Sequence, residues 1–438
     1  MKKNLLIILL IFIFFDQLPV SAQDVQRFPK PDFQTEYIYP DLLTPEPRSQ
    51  SIEYLDLLIL IAVLSLASYF ALKLRSRKKM FLLMVFSLIY FGFYREGCVC
   101  PVGSIQNVSL ALFDPGYTVP LTVIAFFALP LVFALFFGRT FCAGVCPLGA
   151  VQDAVILKPA RVPSWLTQVL GIFPYIYLGL AVLFASTGAG FVICQYDPFV
   201  GFFRFGATFN MIALGISMLI LGTVVARPYC RFLCPYGVLL NWMSRLSKRH
   251  ATISPTDCIN CRLCEESCPF GAIKKPIEAA PENRKSNINK LAVLFVLLPV
   301  IVLSSGWVVS RMHIPLSSKH AVVSLAEEIQ LENSGKRIET TDETDAFRSS
   351  GKLTEELFAE AKIIQNNFRI GGWILGGFLG FIIFLKLINL TIFRRQIEYN
   401  ADTGSCLSCA RCFSYCPVEL VRRGKMDPDE LIKLKQSS

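Results

Sequence analysis

The sequence predicts an all-α polytopic membrane protein of about seven transmembrane helices after a signal peptide, with a small α+β domain split by two of the helices. Three observations lead there. Of 438 residues, 53% are hydrophobic and only 17% charged, with a mean hydropathy of +0.50. Apolar runs of membrane-crossing length recur along the chain. Two short four-cysteine runs lie on either side of the last two apolar runs.

Residues 1–22 read as the signal: Lys2 and Lys3 precede an apolar stretch from Leu5 to Phe15, and Val20, Ser21 and Ala22 form a small-residue cleavage site. Residues 23–53 are polar and proline-rich, an expected external arm. Apolar spans are expected near 54–72, 80–94, 118–138, 165–186, 209–226, 289–308 and 370–393. The first five make a membrane core over 54–250. Basic residues set its orientation: KLRSRKK at 73–79, then Arg139, Lys158 and Arg161, then Arg227, Arg231, Arg245, Lys248 and Arg249, and finally Arg394 and Arg395. These belong on the cytoplasmic side, leaving Arg95 and Arg204 outside. The net charge of +10 therefore reflects membrane orientation, and nucleic acid is not an expected partner. Residues 309–369 fall outside, with amphipathic helices expected at 321–332 and 353–367. Gly372, Gly376 and Gly380, four residues apart, give the last span a small face for close packing.

Chemistry is concentrated in 15 cysteines. CINCRLCEESCP (258–269) and CLSCARCFSYCP (406–417) both have the spacing C-x2-C-x2-C-x3-C-P. That spacing lets three thiolates grip one cubane while the fourth reaches its neighbour. It predicts a two-cluster ferredoxin-like cytoplasmic domain in halves, 251–288 and 394–438. One [4Fe–4S] cluster takes Cys258, Cys261, Cys264 and Cys416; the other takes Cys406, Cys409, Cys412 and Cys268. Zinc usually takes two separated pairs of ligands, and disulfides are disfavoured on the cytoplasmic side.

A second motif repeats within the membrane core. REGCVCPVGSIQN (95–107), RTFCAGVCPLGAVQD (139–153) and RPYCRFLCPYGVLLN (227–241) share Arg three residues before the first cysteine, then Cys-Pro-x-Gly, then Asn or Asp four residues after that Gly. CQYDPFVG (194–201) is a degenerate fourth copy. Topology sorts the cysteines into Cys142, Cys146, Cys230 and Cys234 at the inner end and Cys98, Cys100 and Cys194 at the outer end. The inner four suit a further [4Fe–4S] cluster, with Arg139 and Arg227 offsetting thiolate charge. For the outer three, the sequence leaves open a cluster completed by Asp197, water or a partner, a copper site, or a disulfide. The three histidines, His250, His313 and His320, all lie away from mid-span positions, so no haem is expected.

These motifs resemble those of the membrane polyferredoxins of the NosR and NapH types, associated with periplasmic nitrous oxide and nitrate reductases. The copper-handling polyferredoxin of cytochrome oxidase assembly is a relative of that group. The resemblance covers residues 80–275 and 370–420 and rests on the loops 142–147 and 230–235 and the two ferredoxin runs. It implies electron transfer across or near a bacterial cytoplasmic membrane, from a cytoplasmic or quinol donor to a periplasmic reductase or its maturation system. The alternative is a copper or thiol reductase or assembly factor for an external metalloenzyme. The external N-terminal part is too short for a flavin domain, so FMN is not expected. One-electron transfer requires no acid–base or nucleophilic residue. The sequence thus fits an electron-transfer protein or a subunit of an oxidoreductase complex.

Overall fold

The computed structural model describes residues 49–97, 100–157, 159–160, 162–253, 258–276, 284–337, 339–391 and 399–437. The expected signal, most of the external arm, Cys98, Lys158, Arg161, Arg394 and Arg395 lie outside the described residues. The chain divides into two compact units, one holding 324–360 and the other 46–323 and 361–438.

The larger unit is helical. Its first helices are α1 (Gln50–Ser68), α2 (Arg77–Ser87), α3 (Pro101–Phe113), α4 (Leu121–Phe137), α5 (Thr140–Gly144) and α6 (Pro147–Ala154). There follow α7 (Ser164–Leu170), α8 (Phe173–Ser186), α9 (Val192–Tyr196), α10 (Val200–Arg204), α11 (Phe209–Val224), α12 (Pro228–Phe232) and α13 (Pro235–Arg245). The short α14 (Leu263–Glu266) and β1 (Ile273–Lys274) precede α15 (Arg284–Arg311) and α16 (His313–Ser317). After α17 (Ala321–Asn333), α18 (Asp342–Ser349) and α19 (Thr354–Thr391) come β2 (Asn400–Ala401), α20 (Arg411–Tyr415), α21 (Pro417–Arg422) and α22 (Pro428–Ser437). Helices α1 and α2 each run on into a π-helical turn, Tyr69–Lys73 and Leu88–Tyr94.

Among the described residues, four helical stretches are long and apolar enough to cross a membrane: Ser51–Lys73, Ser164–Ser186, Asn289–Arg311 and Thr354–Thr391. The runs expected near 118–138 and 209–226 form the shorter apolar helices Leu121–Phe137 and Phe209–Val224. At 1.5 Å per residue, the former covers about 25 Å of a ~30 Å core. Gly138 then turns the chain at φ 74° into the cysteine loop. The run expected at 80–94 is α2 with its π turn.

One expectation is corrected. The amphipathic helix placed at 353–367 and the span placed at 370–393 are a single 38-residue helix, α19. No proline interrupts this stretch, and Gly371 and Gly372 are held within the helix. Their lack of side chains serves packing. A Cβ on Gly372 would meet the Ser310 Cα at 3.0 Å, and one on Gly380 would meet the Ile301 carbonyl at 3.0 Å. At Gly376 the Cβ would press on the Ser305 carbonyl and the Gly306 Cα. Because lipid tails are as apolar as leucine, such backbone approach is what holds membrane helices together. Gly376→Leu is expected to cost about 1–3 kcal/mol by prising α15 from α19. Thermal unfolding in detergent would show it as a lowered Tm, with Gly377→Ala, on a more open face, as the control.

The core of the larger unit surrounds the half-helices that follow each Cys-Pro. Proline at the first helical position of α3, α6 and α13 starts each one, because its fixed φ suits the helix and its missing N–H is not needed there. Tyr229, Tyr236, Phe91, Phe203, Leu64 and Leu240 are fully buried among them.

In the smaller unit, Thr341 caps α18 in a reciprocal box with Thr344. Glu332 accepts the Thr344 hydroxyl at 2.7 Å and pairs with Arg348.

Candidate iron–sulfur sites

The two ferredoxin halves meet in one sheet. Strands β1 and β2 pair antiparallel, Ile273 opposite Ala401 and Lys274 opposite Asn400. Asp402 extends the contact through its N–H to the Ala272 carbonyl, 2.8 Å, and its carboxylate to Lys274 Nζ, 2.6 Å. Each cysteine loop bends at the same two places. Asn260 and Arg262 have φ of 54° and 63°, and Ser408 and Ala410 have φ of 55° and 60°. Left-handed residues alternating along a loop turn successive N–H groups toward one concavity, which suits an anionic cluster. The Ser408 N–H points at Cys406 Sγ from 3.4 Å.

The thiols converge in two sets of four, each drawing on both halves. Cys258, Cys261, Cys264 and Cys416 line one small pocket with Ile253 and Tyr399. Burial pushes the Cys264 thiol up to about 11, and Cys258, Cys261 and Cys416 add like charge against a backbone N–H bond from Glu265. In the other set, burial pushes the Cys406 thiol up to about 12, opposed by the Ser408 N–H and reinforced by Cys409 and Cys268. Cys412 feels Cys409, Cys406 and Cys268. Four soft sulfur donors around one pocket, with N–H groups turned inward, fit a [4Fe–4S] cluster. Ligation requires those protons to leave, so holding a cluster also keeps the thiolates charged.

The membrane-core cysteines form two further groups. Cys146 has Cys230, Cys142 and Cys234 as electrostatic neighbours, so the C-x3-C loops before α6 and α13 face each other. Cys100, which caps α3, has Asp197 and Cys194 as neighbours. No disulfide joins any two of the described cysteines. Among the described residues no three His, Cys, Asp or Glu side chains close on a single metal ion. A cubane presents its irons at separate corners, so its thiolates need not meet at one point.

The arginines of the repeat take different partners. Arg139 approaches Cys142 Sγ at 3.8 Å and donates to the Gly404 carbonyl at 3.0 Å, linking the inner group to the second ferredoxin half. Arg227, 1% exposed, donates to the Cys142 carbonyl, pairs with Asp153 at 3.3 Å and lies over the Phe270 ring at 5.7 Å. Arg95 pairs with the buried Asp56 at 2.7 Å, and Asp56 also accepts the Tyr90 hydroxyl at 2.7 Å.

Asp153 is the hub that sequence reasoning passed over. It is buried and carries ion pairs to Arg77, Arg227 and Arg411. Burial alone would raise its pKa, but the three guanidiniums outweigh it and hold the carboxyl below the usual range. The sequence offered only a shared Asn or Asp after each Cys-Pro-x-Gly; nothing in it pointed to arginines so far apart in the chain. Asp197, weighed as a ligand, has both carboxylate oxygens engaged. Oδ1 accepts the Phe199 and Val200 N–H groups at 2.9 and 3.3 Å, and Oδ2 accepts the Tyr229 hydroxyl at 2.6 Å. It serves as a turn anchor.

Apolar contacts connect the groups. Cys264, Ile273 and Tyr399 pack with Cys258, Cys268 and Cys412, between the two ferredoxin sets. Ala226, Phe270 and Leu407 pack with Cys268, Cys409 and Cys142, between the ferredoxin and the inner group. Tyr236, fully buried, is an electrostatic neighbour of Cys142, Cys100, Cys234 and Cys146, between the inner and outer groups.

Comparison with known proteins agrees with this chemistry. A 4Fe-4S binding domain model matches residues 119–165 and 207–254, and a second model of that description matches 251–274. The chain is 28% identical to an uncharacterised protein of Methanocaldococcus jannaschii, over 42% of this chain and 77% of that protein. It is 26% identical to YccM of Escherichia coli, provisionally named an electron transport protein, over 32% of this chain and 43% of YccM. It is also 26% identical to the regulatory protein NosR of Pseudomonas aeruginosa, over 43% of this chain and 29% of NosR. No solved structure matches.

Proposed function

We propose that this chain, a membrane polyferredoxin of the NosR/NapH type, is a transmembrane electron conduit. The observation that carries the reading is the series of cysteine groups joined by buried side chains, from the ferredoxin pocket through Phe270 and Leu407 to Cys142, and on past Tyr236 to Cys100. In this reading Cys258, Cys261, Cys264 and Cys416 hold one [4Fe–4S] cluster, and Cys406, Cys409, Cys412 and Cys268 hold the second. Cys142, Cys146, Cys230 and Cys234 hold a third. Such clusters supply one-electron redox chemistry when bound.

The chain's own residues hold, tune and shield. Arg139, beside Cys142, supplies positive charge where each added electron would otherwise be repelled. Gln152 Nε2 donates to Cys230 Sγ at 3.2 Å, and hydrogen bonds to cluster sulfur raise the potential. Phe270, Leu407 and Tyr236 exclude water from the gaps between groups.

The membrane arrangement is part of the proposal. The ferredoxin halves at 251–288 and 394–438 lie in the cytoplasm, fastened by the spans at 289–308 and 370–393. The core at 54–250 supplies the other five crossings, the third and fifth through the shorter helices Leu121–Phe137 and Phe209–Val224. Residues 309–369 lie in the periplasm, behind a signal at 1–22 and an arm at 23–53. A quinol or cytoplasmic donor and a periplasmic reductase or its maturation system complete the circuit.

Proteoliposomes test this directly. With ferricyanide trapped inside and an impermeant reductant outside, the protein is expected to carry electrons inward across the bilayer, and Cys146→Ala to abolish the flux. Equal flux in protein-free vesicles, or in Cys146→Ala, would refute the conduit.

A further inference from the structure

Two buried glutamines sit at the same position of two motif copies. Gln106 lies three residues after Gly103, and Gln152 three after Gly149; the third copy has Leu240 there. Both glutamines are 0% exposed. Gln152 clasps the third copy. Its Oε1 accepts the N–H of Tyr229, the residue before Cys230, at 3.0 Å, while its Nε2 donates to Cys230 Sγ at 3.2 Å and to the Leu148 carbonyl at 3.0 Å. Gln106 makes the matching contact with the fourth copy: its Oε1 accepts the N–H of Ile193, the residue before Cys194, at 2.9 Å. The pairing of copy two with copy three is thus repeated by copy one with copy four, residue for residue.

The repetition stops at the amide nitrogen. Gln106 Nε2 is buried and has no hydrogen-bond partner among the described residues. Leaving such a donor unmade in a buried interior forfeits a hydrogen bond it would make in water. Its twin spends one of its two N–H bonds on a cysteine sulfur. Cys194 Sγ lies 3.6 Å from the position a Cβ on Gly103 would take, one turn from Gln106, and Cys100 at the start of the same helix has Cys194 as an electrostatic neighbour. The orphan donor thus sits on the helix that Cys100 opens, its own amide oxygen held by the residue before Cys194, and the acceptor it lacks is one that a bound centre would bring.

We propose that Cys100 and Cys194 supply two of the ligands of a further iron–sulfur centre, and that Gln106 Nε2 donates a hydrogen bond to its sulfur. Gln106 is then the positioning residue of that centre, as Gln152 is of the inner one. Second-contact donors of this kind orient the ligands and tune the metal. The proposal rests on the conduit reading, for which it supplies the end remote from the ferredoxin.

The test uses full-length protein purified anaerobically in detergent, with iron and acid-labile sulfide per chain and EPR-monitored redox titration as readouts. Cys194→Ala is expected to lose iron and one redox transition. Gln106→Leu is expected to keep the iron but lower one midpoint potential, leaving the others in place, while Gln152→Leu lowers a different one. Gln106→Glu keeps the acceptor for Ile193 N–H and alters only the donor, so it separates holding the backbone from tuning the centre; it too is expected to lower that potential. Unchanged potentials in Gln106→Glu and Gln106→Leu would overturn the proposal, even if Cys194→Ala failed to fold. So would unchanged iron in Cys194→Ala, or copper in place of iron in the parent. Parent protein that lacks the ferredoxin signals would sink the conduit reading itself, whereas ferredoxin signals without the additional transition would sink this inference alone.

Discussion

Cys416→Ser is expected to remove one ferredoxin cluster and leave the other, and Cys268→Ser is expected to do the converse. Cys416 belongs in sequence to the second cysteine run but shares a pocket with Cys258, Cys261 and Cys264 of the first. Cys268 closes the first run and is an electrostatic neighbour of Cys406 and Cys412 of the second. Each variant should lose about four irons per chain and one of two cubane signals. The variants should also loosen the junction of the halves, since the Ile273–Ala401 pairing is short and each cluster ties both segments. EPR of the reduced proteins decides the matter. Two intact signals in Cys416→Ser would show that each run ligates its own cluster.

Asp153→Leu has the second largest expected effect. It strands Arg227, which is 1% exposed, together with the partly exposed Arg77 and Arg411. Removing one partner from a buried ion pair typically costs about 3–5 kcal/mol, and the partial exposure of two of these arginines places the expected loss near the lower figure. The damage should be felt where four segments join: the start of α2, α6, the start of α12 and the second ferredoxin run. Asp153→Leu is therefore expected to shed iron on mild warming as well as to unfold earlier. The pH dependence has a definite sign. The folded Asp153 carboxyl titrates below the unfolded one, whose pKa is about 3.9. Its contribution is complete above the unfolded pKa and disappears as pH falls through the folded value. Parent and variant should differ most at neutral pH and converge in acid. Thermal unfolding followed across that range checks both statements; equal stability at neutral pH would reduce the network to a surface-like contact.

The redox chemistry was legible because it depends on local spacing. C-x2-C-x2-C-x3-C-P is a property of twelve consecutive residues, and the Cys-Pro-x-Gly repeat likewise sits on single loops. The small-residue face of the last helix was legible for the same reason: Gly372, Gly376 and Gly380 keep a fixed helical spacing and meet Ser310, Ser305 and Ile301. What could not be read was pairing between distant segments. Arg77 and Arg411 gave no sign of sharing Asp153, and Arg95 gave no sign of reaching Asp56. Gln106 and Gln152 looked like ordinary helix residues, and only the repeated contact with the neighbouring cysteine loop distinguishes them. Arg227 was read as a thiolate counter-charge and does have Cys230 and Cys142 as electrostatic neighbours, but that its guanidinium bonds Asp153 and the Cys142 carbonyl could not be read. Element lengths misled where hydropathy changes without a break in the backbone. The polar start of α19 runs into its apolar part as one helix, because neither proline nor a left-handed glycine intervenes.

The central claim is that the membrane-core cysteines carry a redox centre continuous with the ferredoxin. Iron and acid-labile sulfide per chain, in anaerobically purified parent protein and in Cys142→Ala/Cys230→Ala, test it most directly. The account predicts at least about twelve irons in the parent and about four fewer in the double variant, with both ferredoxin signals retained. About eight irons in both proteins would contradict it.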